Sequence, residues 1–546
     1  MPSEIATAAR WLAADGDGPL CAWLTAPATA LGATGVLVLP SVGYEYWTAH
    51  RTLRSLAEAL AAEGCTVLRV DYPGTGDSRD LTPGEDAVAA WRRTVRHGTD
   101  ELRRLGASRI VLAGLRMGAT VALLEAEAVG ADAVVACAPV VSGRRYAREL
   151  RLIGTPAPAE GSREGDLVVA GTAYAPETLD GLAEIDLLAG GGAPRALVVE
   201  TTGATGAGPL AEALAARGSD VEVRTHDLSS MLEQPTEYAT VPEGLVESVA
   251  GWVGASPGVG PPPPEGAGPA AVAYGGEQVE EEVVTVSGRE LVGIRARHPG
   301  RDTDITVVFL NSGSEPHVGP GRAWVELGRA LAAGGHRSLR IDFSGWGESP
   351  DLGHAPGRPY DEHTVAETVE IVQALQEAGS RVVLAGLCAG AWVALDVAQS
   401  VDLDGVVALN PQLYWDRGDP VEALIAETHE RRTPDRKRES LGHTTGLWWL
   451  LDLIGIRHRV AAWLRRIARR GVPTLLLFAE ADDGLEFLRM RTGRALASVT
   501  RPGGTIRVVE LDGLDHALHR RWLRAAVARE LDAFLGSLAP EGGLEA

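Results

Sequence analysis

Two spacings of apolar residues alternate along the chain. Short runs with every position apolar, such as GVLVL at residues 35–39, are the pattern of strands buried on both faces. Between them apolar positions recur every three or four residues, as at Leu53, Leu56, Ala57 and Leu60, the stripe of a helix with one face in a core. That helical stretch, residues 51–63, closes at Gly64 and runs into CTVLRVDY. Strand, helix and strand in this order predict a parallel sheet covered on both sides. Ahead of them, residues 8–26 alternate about AADGDGP, which predicts two short strands paired as a hairpin.

The pattern occurs twice. ITVVFLNSG repeats GVLVLPSVG, WVELGRALAAGGHRSLRIDFSGWGES repeats RSLAEALAAEGCTVLRVDYPGTGDS, and GVVALNP repeats AVVACAP. Asp71 corresponds to Asp342 at an offset of 271, and Arg116 to Cys388 at an offset of 272. One residue of slippage over that distance indicates tandem duplication of a whole domain. Residues 255–277 carry PPPP at 261–264 among many Gly and Ala, the composition of a semi-stiff linker. The expected layout is a first domain at 1–254, a linker at 255–277 and a second domain at 278–546, closing on helices at 246–253 and 521–535. A chain of 546 residues, 45% apolar, has ample material for two cores.

Charge and cysteine content narrow the function classes. With 73 acidic against 51 basic residues the net charge is −22, which argues against nucleic acid or an anionic membrane as the partner. The start of the chain has no basic segment followed by an apolar core, and no apolar run is long enough to span a bilayer, so a cytoplasmic protein is expected. Cysteines stand at 21, 65, 137 and 388 with no C-x-x-C among them, the usage of free thiols in a reducing compartment. Neither a metal site nor a cofactor is indicated.

One difference between the copies carries the chemistry. RIVLAGLRMGATVAL at 109–123 and RVVLAGLCAGAWVAL at 381–395 each read as a strand, a sharp turn and a helix. The second contains Gly-Leu-Cys-Ala-Gly, the nucleophile elbow G-x-S-x-G with cysteine in place of serine. Gly386 and Gly390 permit close approach of strand and helix, and the helix that starts there directs free N–H groups at the thiol. At these residues the chain resembles the α/β-hydrolase superfamily, and it does so twice. The implied fold is α/β: two tandem α/β-hydrolase domains, each a mostly parallel doubly wound sheet, the second with a helical lid.

The resemblance implies a catalytic order of nucleophile, acid and histidine. TLLLF is followed by AEADDG and IRVVELDG by LDHAL, so Asp482 and His516 fall at the expected places beside Cys388. Glu480, Asp483 and Asp416 are rivals for the acid. His516 would take the thiol proton while Asp482 fixes the imidazole. For the oxyanion the family supplies the amide of the residue after the nucleophile, here Ala389, and one from the loop NSGS, with Ser312 preferred over Asn311 or Gly313. IDFSGWGES at 341–349 resembles the family's second glycine loop and reads as structural.

Residues 412–470 form an insertion where family members carry a lid. It contains WWLLDLIG and AAWLRRIA, amphipathic candidates for covering the site, and holds twelve Lys and Arg against eight Asp and Glu. That local positive charge, which includes Arg465, Arg466, Arg469 and Arg470, suggests an anionic acyl donor such as coenzyme A or an acyl carrier protein.

The first copy lacks the chemistry. Arg116 stands at the nucleophile position and cannot act as one, the loop after ALVVE reads TTGATG without a carboxylate, and Met231 aligns with His516. His226 reads as a strand-end histidine. A cation at a helix N-terminus is unfavourable, so Arg116 needs an offsetting acid such as Glu45 or a bound anion. An Arg elbow beside a Cys elbow also resembles the hydrolase pair associated with exosortase systems. The expected activity is attack of Cys388 on an ester or thioester through an acyl-enzyme, as hydrolysis or as acyl transfer to an amine or alcohol. The rival is a non-catalytic scaffold.

Overall fold

A computed structural model describes residues 4–14, 18–159, 163–204, 206–266, 268–354, 359–413, 459–480, 482, 484–492, 494–500 and 504–538. The chain divides into two compact units, residues 1–283 and 284–546.

In the first unit the strands are β1 (Ile5–Ala14), β2 (Gly18–Pro27), β3 (Thr34–Leu39), β4 (Thr66–Val70), β5 (Arg109–Leu115), β6 (Ala133–Cys137), β10 (Arg195–Thr201) and β11 (Asp220–His226), with a small separate sheet of β7 (Thr155–Pro156), β8 (Leu167–Val169) and β9 (Thr172–Tyr174). The main sheet has the order β1-β2-β4-β3-β5-β6-β10-β11. β1 and β2 pair antiparallel from Ile5↔Pro27 to Ala14↔Gly18, the expected hairpin, and β3 onward is parallel.

The continuous apolar runs follow from cores on both faces of the sheet. In β3, Leu37 and Leu39 enter one core with Trp91 and Val95, while Val36 and Val38 enter the other with Leu53 and Leu60. Leu53 and Leu60 lie on the helix Tyr44–Ala62, whose apolar stripe is the predicted one.

The second sheet comprises β12 (Ala270–Tyr274), β13 (Glu277–Val286), β14 (Leu291–Arg297), β15 (Ile305–Phe309), β16 (Arg337–Ile341), β17 (Arg381–Leu387), β18 (Gly405–Leu409), β19 (Thr474–Ala479) and β20 (Ile506–Leu511). Their order is β12-β13-β14-β16-β15-β17-β18-β19-β20, and β16 to β20 are parallel. Val308 and Leu310 belong to one core with Trp392, and Val307 and Phe309 to the opposite one with Trp324. β16 and β17 lie on either side of β15, and the parallel pairing puts the C-terminal ends of β15, β17, β18, β19 and β20 along one edge, where loops can converge.

Residues 255–277, expected as an extended linker, contain regular structure. Ala33 donates its N–H to Pro257 O (3.0 Å), Val259 to Leu31 O (2.9 Å) and Leu31 to Pro261 O (2.9 Å). Ala270–Tyr274 is strand β12, paired antiparallel with β13 at Val272↔Val279. Its alternation of Ala and Val is short and set among Gly and Pro, which hides it in the sequence.

Candidate active site

β17 ends at Leu387, and the helix Ala389–Val397 starts at once, so Cys388 makes the whole turn alone. Its φ of 56° and ψ of −110° lie in a region that costs a non-glycine residue about 1–3 kcal/mol. The Cys388 N–H donates to Leu409 O (3.0 Å), tying the turn to β18. A Cβ on Gly386 would lie 2.2 Å from the Gly390 carbonyl carbon, and one on Gly390 would lie 2.7 Å from Asn311 O. Only glycine at both positions lets strand, helix and the loop after β15 meet. The thiol is partly exposed, whereas Cys21, Cys65 and Cys137 are buried. Burial pushes the Cys65 thiol up to about 11 and the Cys137 thiol up to about 12.

Asp482 follows β19 and His516 follows β20. His516 Nδ1 lies 2.5 Å from Asp482 Oδ2, and Asp482 Oδ1 accepts the N–H of Gly484 (2.7 Å). Burial opposes the charge of the imidazole, but hydrogen bonds to Asp482 and Cys388, together with their negative charge, outweigh it and push the His516 pKa up to about 10. Of the rival acids, Glu480 instead accepts the N–H of Gly513 (3.0 Å); Asp483 and Asp416 lie outside the described residues.

The loop after β15 is fixed by buried polar groups. Asn311 Nδ2 donates to Glu315 O (2.9 Å) and to Asp342 Oδ1 (3.0 Å), and its Oδ1 accepts the Phe343 N–H (3.0 Å). Asp342 also accepts the His317 N–H (2.7 Å) and the Glu348 N–H (2.9 Å), and its Oδ2 lies 2.6 Å from His317 Nδ1. A Cβ on Gly347 would lie 2.0 Å from that Oδ2, so the second glycine loop wraps this carboxylate. The side chain of Asn311 is thus consumed in holding the loop. Among the described residues, the amides of Ser312 and Ala389 donate to no backbone carbonyl.

Four further side chains gather here: Tyr360, Gln412, Trp392 and Asn410. The Tyr360 hydroxyl lies 3.9 Å from Cys388 Sγ and donates to Gln412 Oε1 (3.0 Å), and its ring meets Trp392 edge-on at 5.5 Å. Asn410, at the end of β18, donates from Nδ2 to His516 O (2.9 Å) and accepts the Ala479 N–H at Oδ1 (2.7 Å). GVVALNP set against AVVACAP already contained the signal for Asn410, an amide where the first copy has Ala138.

Of the insertion at 412–470, residues 414–458, including WWLLDLIG, lie outside the described residues. AAWLRRIA belongs to the helix Arg459–Arg470, which leads into β19. Val460, Leu464 and Ile467 are buried in the same core as Trp392 and Leu476, so this apolar face is taken up by the domain's own core. Arg466 Nη1 donates to Gln399 Oε1 (3.2 Å) and Arg470 pairs with Asp402. Gln399 and Asp402 precede β18, at the sheet edge opposite Cys388.

The first domain repeats the elbow with Arg116 at the position of Cys388. Arg116 has φ 52° and ψ −115°, caps the helix Met117–Glu125, and donates its N–H to Cys137 O (2.8 Å). Its Nε donates to Glu45 Oε1 (2.8 Å) and its Nη1 to Ala138 O (3.2 Å), while Ser41 Oγ donates to Glu45 Oε2 (2.7 Å). Glu45 is therefore the acid that offsets the cation. The guanidinium bridges the first turn of the helix Tyr44–Ala62 and the residue after β6. Met231 is fully buried, and His226 is the last residue of β11.

The sequence pattern of the alpha/beta hydrolase family matches residues 36–241 and again 307–530, and the chain belongs to that family. Solved structures similar to parts of this chain include an alpha-beta serine hydrolase homologue from Coxiella burnetii (15% identity, 46% of this chain and 97% of that one, TM-score 0.30). Est1E from Butyrivibrio proteoclasticus with bound ferulic acid is similar at 17% identity (44% and 95%, TM-score 0.33), as is a dienelactone hydrolase from Anabaena variabilis at 15% (50% and 99%, TM-score 0.31). Each covers about half of this chain. No curated protein sequence matches. Among the described residues no helix is long and apolar enough to cross a membrane.

Proposed function

We propose that the second domain is a cysteine-dependent acyl hydrolase acting on an ester or thioester, with Cys388 as nucleophile, His516 as acid and base, and Asp482 as the group that orients His516. The observation that carries this reading is the His516 imidazole paired with Asp482 at 2.5 Å, together with a sulfur placed on a strained turn at a helix N-terminus. An imidazole that keeps its proton at neutral pH is the partner a thiolate requires.

The sulfur attacks the carbonyl carbon and forms a C–S bond, and the amides of Ser312 and Ala389 hold the oxyanion. Collapse breaks the bond to the leaving alcohol or thiol, which takes the proton from His516. Water then attacks the acyl-cysteine and gives a proton to His516. The C–S bond breaks, the acid departs, and the thiolate–imidazolium pair is restored. Because the intermediate is a thioester, an amine or alcohol held near it would divert the acyl group into transfer. Arg466 and Arg470 are engaged at the opposite sheet edge, so they give no reason to favour an anionic donor over a simple ester.

Incubation with chromogenic esters, acyl-coenzyme A and carrier-bound acyl groups, followed by intact mass measurement, tests the reading. The expected result is turnover that iodoacetamide abolishes by alkylating Cys388. Alkylation of Cys388 no faster than that of Cys21, Cys65 and Cys137, with no turnover of any substrate, would leave the domain a binding scaffold.

A further inference from the structure

Asn410 is fully buried and makes three connections at the end of β18. Its main-chain N–H donates to Leu477 O (2.8 Å), its Oδ1 accepts the Ala479 N–H (2.7 Å), and its Nδ2 donates to the main-chain carbonyl of His516 (2.9 Å). Leu477 and Ala479 belong to β19, the strand that leads to Asp482. One side chain therefore joins the base of the acid loop to the backbone of the catalytic histidine, across 106 residues of sequence.

The first domain separates what the backbone needs from what the side chain adds. Ala138 occupies the same place with φ 44° against 41° for Asn410, and its N–H makes the same bond, to Val199 O at 2.7 Å. The turn thus forms without an amide side chain. Alanine stands in the copy whose histidine position holds Met231 and whose acid loop has no carboxylate; asparagine stands in the copy that keeps both.

We infer that Asn410 is a positioning residue for His516: its side chain fixes the histidine backbone relative to Asp482, and so sets the imidazole between carboxylate and thiol. This inference rests on the reading of Cys388 as nucleophile. Misplacement of a catalytic group by about 1 Å costs on the order of a hundredfold in rate, so losing this tether affects kcat rather than substrate binding.

The test is Asn410→Ala in the full-length chain, the residue that the first domain accommodates in this conformation. The readouts are the pH profile of Cys388 alkylation by iodoacetamide and the kinetics on a chromogenic thioester. The expected result is alkylation at neutral pH slowed about tenfold or more, with a profile moved towards that of an ordinary thiol, and a lower kcat at similar KM. A purely structural role would lower the unfolding temperature and leave the profile in place. Should the alanine variant fail to fold, Asn410→Asp, which retains the acceptor for Ala479 and loses the donor to His516, is measured in the same way. A profile identical to wild type beside a reactive wild-type Cys388 overturns the positioning role alone. A wild-type Cys388 no more reactive than the other three thiols overturns both readings.

Discussion

Cys388 and Arg116 share one strained backbone conformation, φ 56° and ψ −110° against φ 52° and ψ −115°, although only one of them can attack a carbonyl. Strain kept without its chemical use is held by packing. In both copies the elbow N–H is bonded to the end of the next strand, and the two flanking glycines sit against backbone atoms.

Placing cysteine in the first elbow should therefore not create an enzyme. Arg116→Cys in a Cys388→Ala background is expected to show no turnover, because Met231 stands at the histidine position and the acid loop TTGATG holds no carboxylate. It should also lower stability by about 1–3 kcal/mol by taking the partner from Glu45. Thermal unfolding and a thioester assay check both halves.

Asp482→Asn should lower kcat by about 10³-fold or more by stabilising the wrong imidazole tautomer. Steady-state kinetics decide it; a loss below about tenfold would return the acid role to another group.

The pKa of His516 is raised, so its contribution to folding is fully present below the ordinary value of 6.5 and is lost as pH rises through about 10. The stability difference between wild type and His516→Ala should shrink from about pH 7 to about pH 10. Chemical denaturation at several pH values measures it, and a difference that grew with pH would contradict the assignment. About a third of this side chain meets solvent, which moderates the size of the effect.

Tyr360→Phe keeps the ring against Trp392 and removes the hydroxyl near Cys388. The loss of one hydrogen-bonding group, about 1 kcal/mol, corresponds to about a fivefold fall in kcat/KM with little change in unfolding temperature.

Gly386→Ala forces a Cβ to 2.2 Å from the Gly390 carbonyl carbon, and neither side can give way. The cost should be about 3 kcal/mol, seen as a loss of soluble protein or a lowered midpoint in denaturant.

The fold was legible because the chain repeats itself. Two copies of each strand and glycine turn remove the ambiguity that a single apolar run carries. Cys388, Asp482 and His516 could be placed because each follows a recognisable strand. Asn410 was visible as a letter but not as a tether, since its partner lies 106 residues away and is a main-chain carbonyl, which no side-chain pattern records. Tyr360 comes to Cys388 through tertiary folding alone. AAWLRRIA was read as a cover for the site because an amphipathic helix has the same periodicity whether its apolar face meets a sheet or a substrate. In the structure that face is taken up by the core that holds Trp392 and Leu476.

The Arg116 guanidinium, bridged between Glu45 and the Ala138 carbonyl, is a ligand that the first domain carries on its own chain. A tethered group of this kind acts at an effective concentration of about millimolar or higher, whatever the solution contains. An outside cation must outcompete a resident that cannot diffuse away. The first domain is in this sense self-saturated: its elbow is filled by its own guanidinium, and adding small ligands changes that occupancy little.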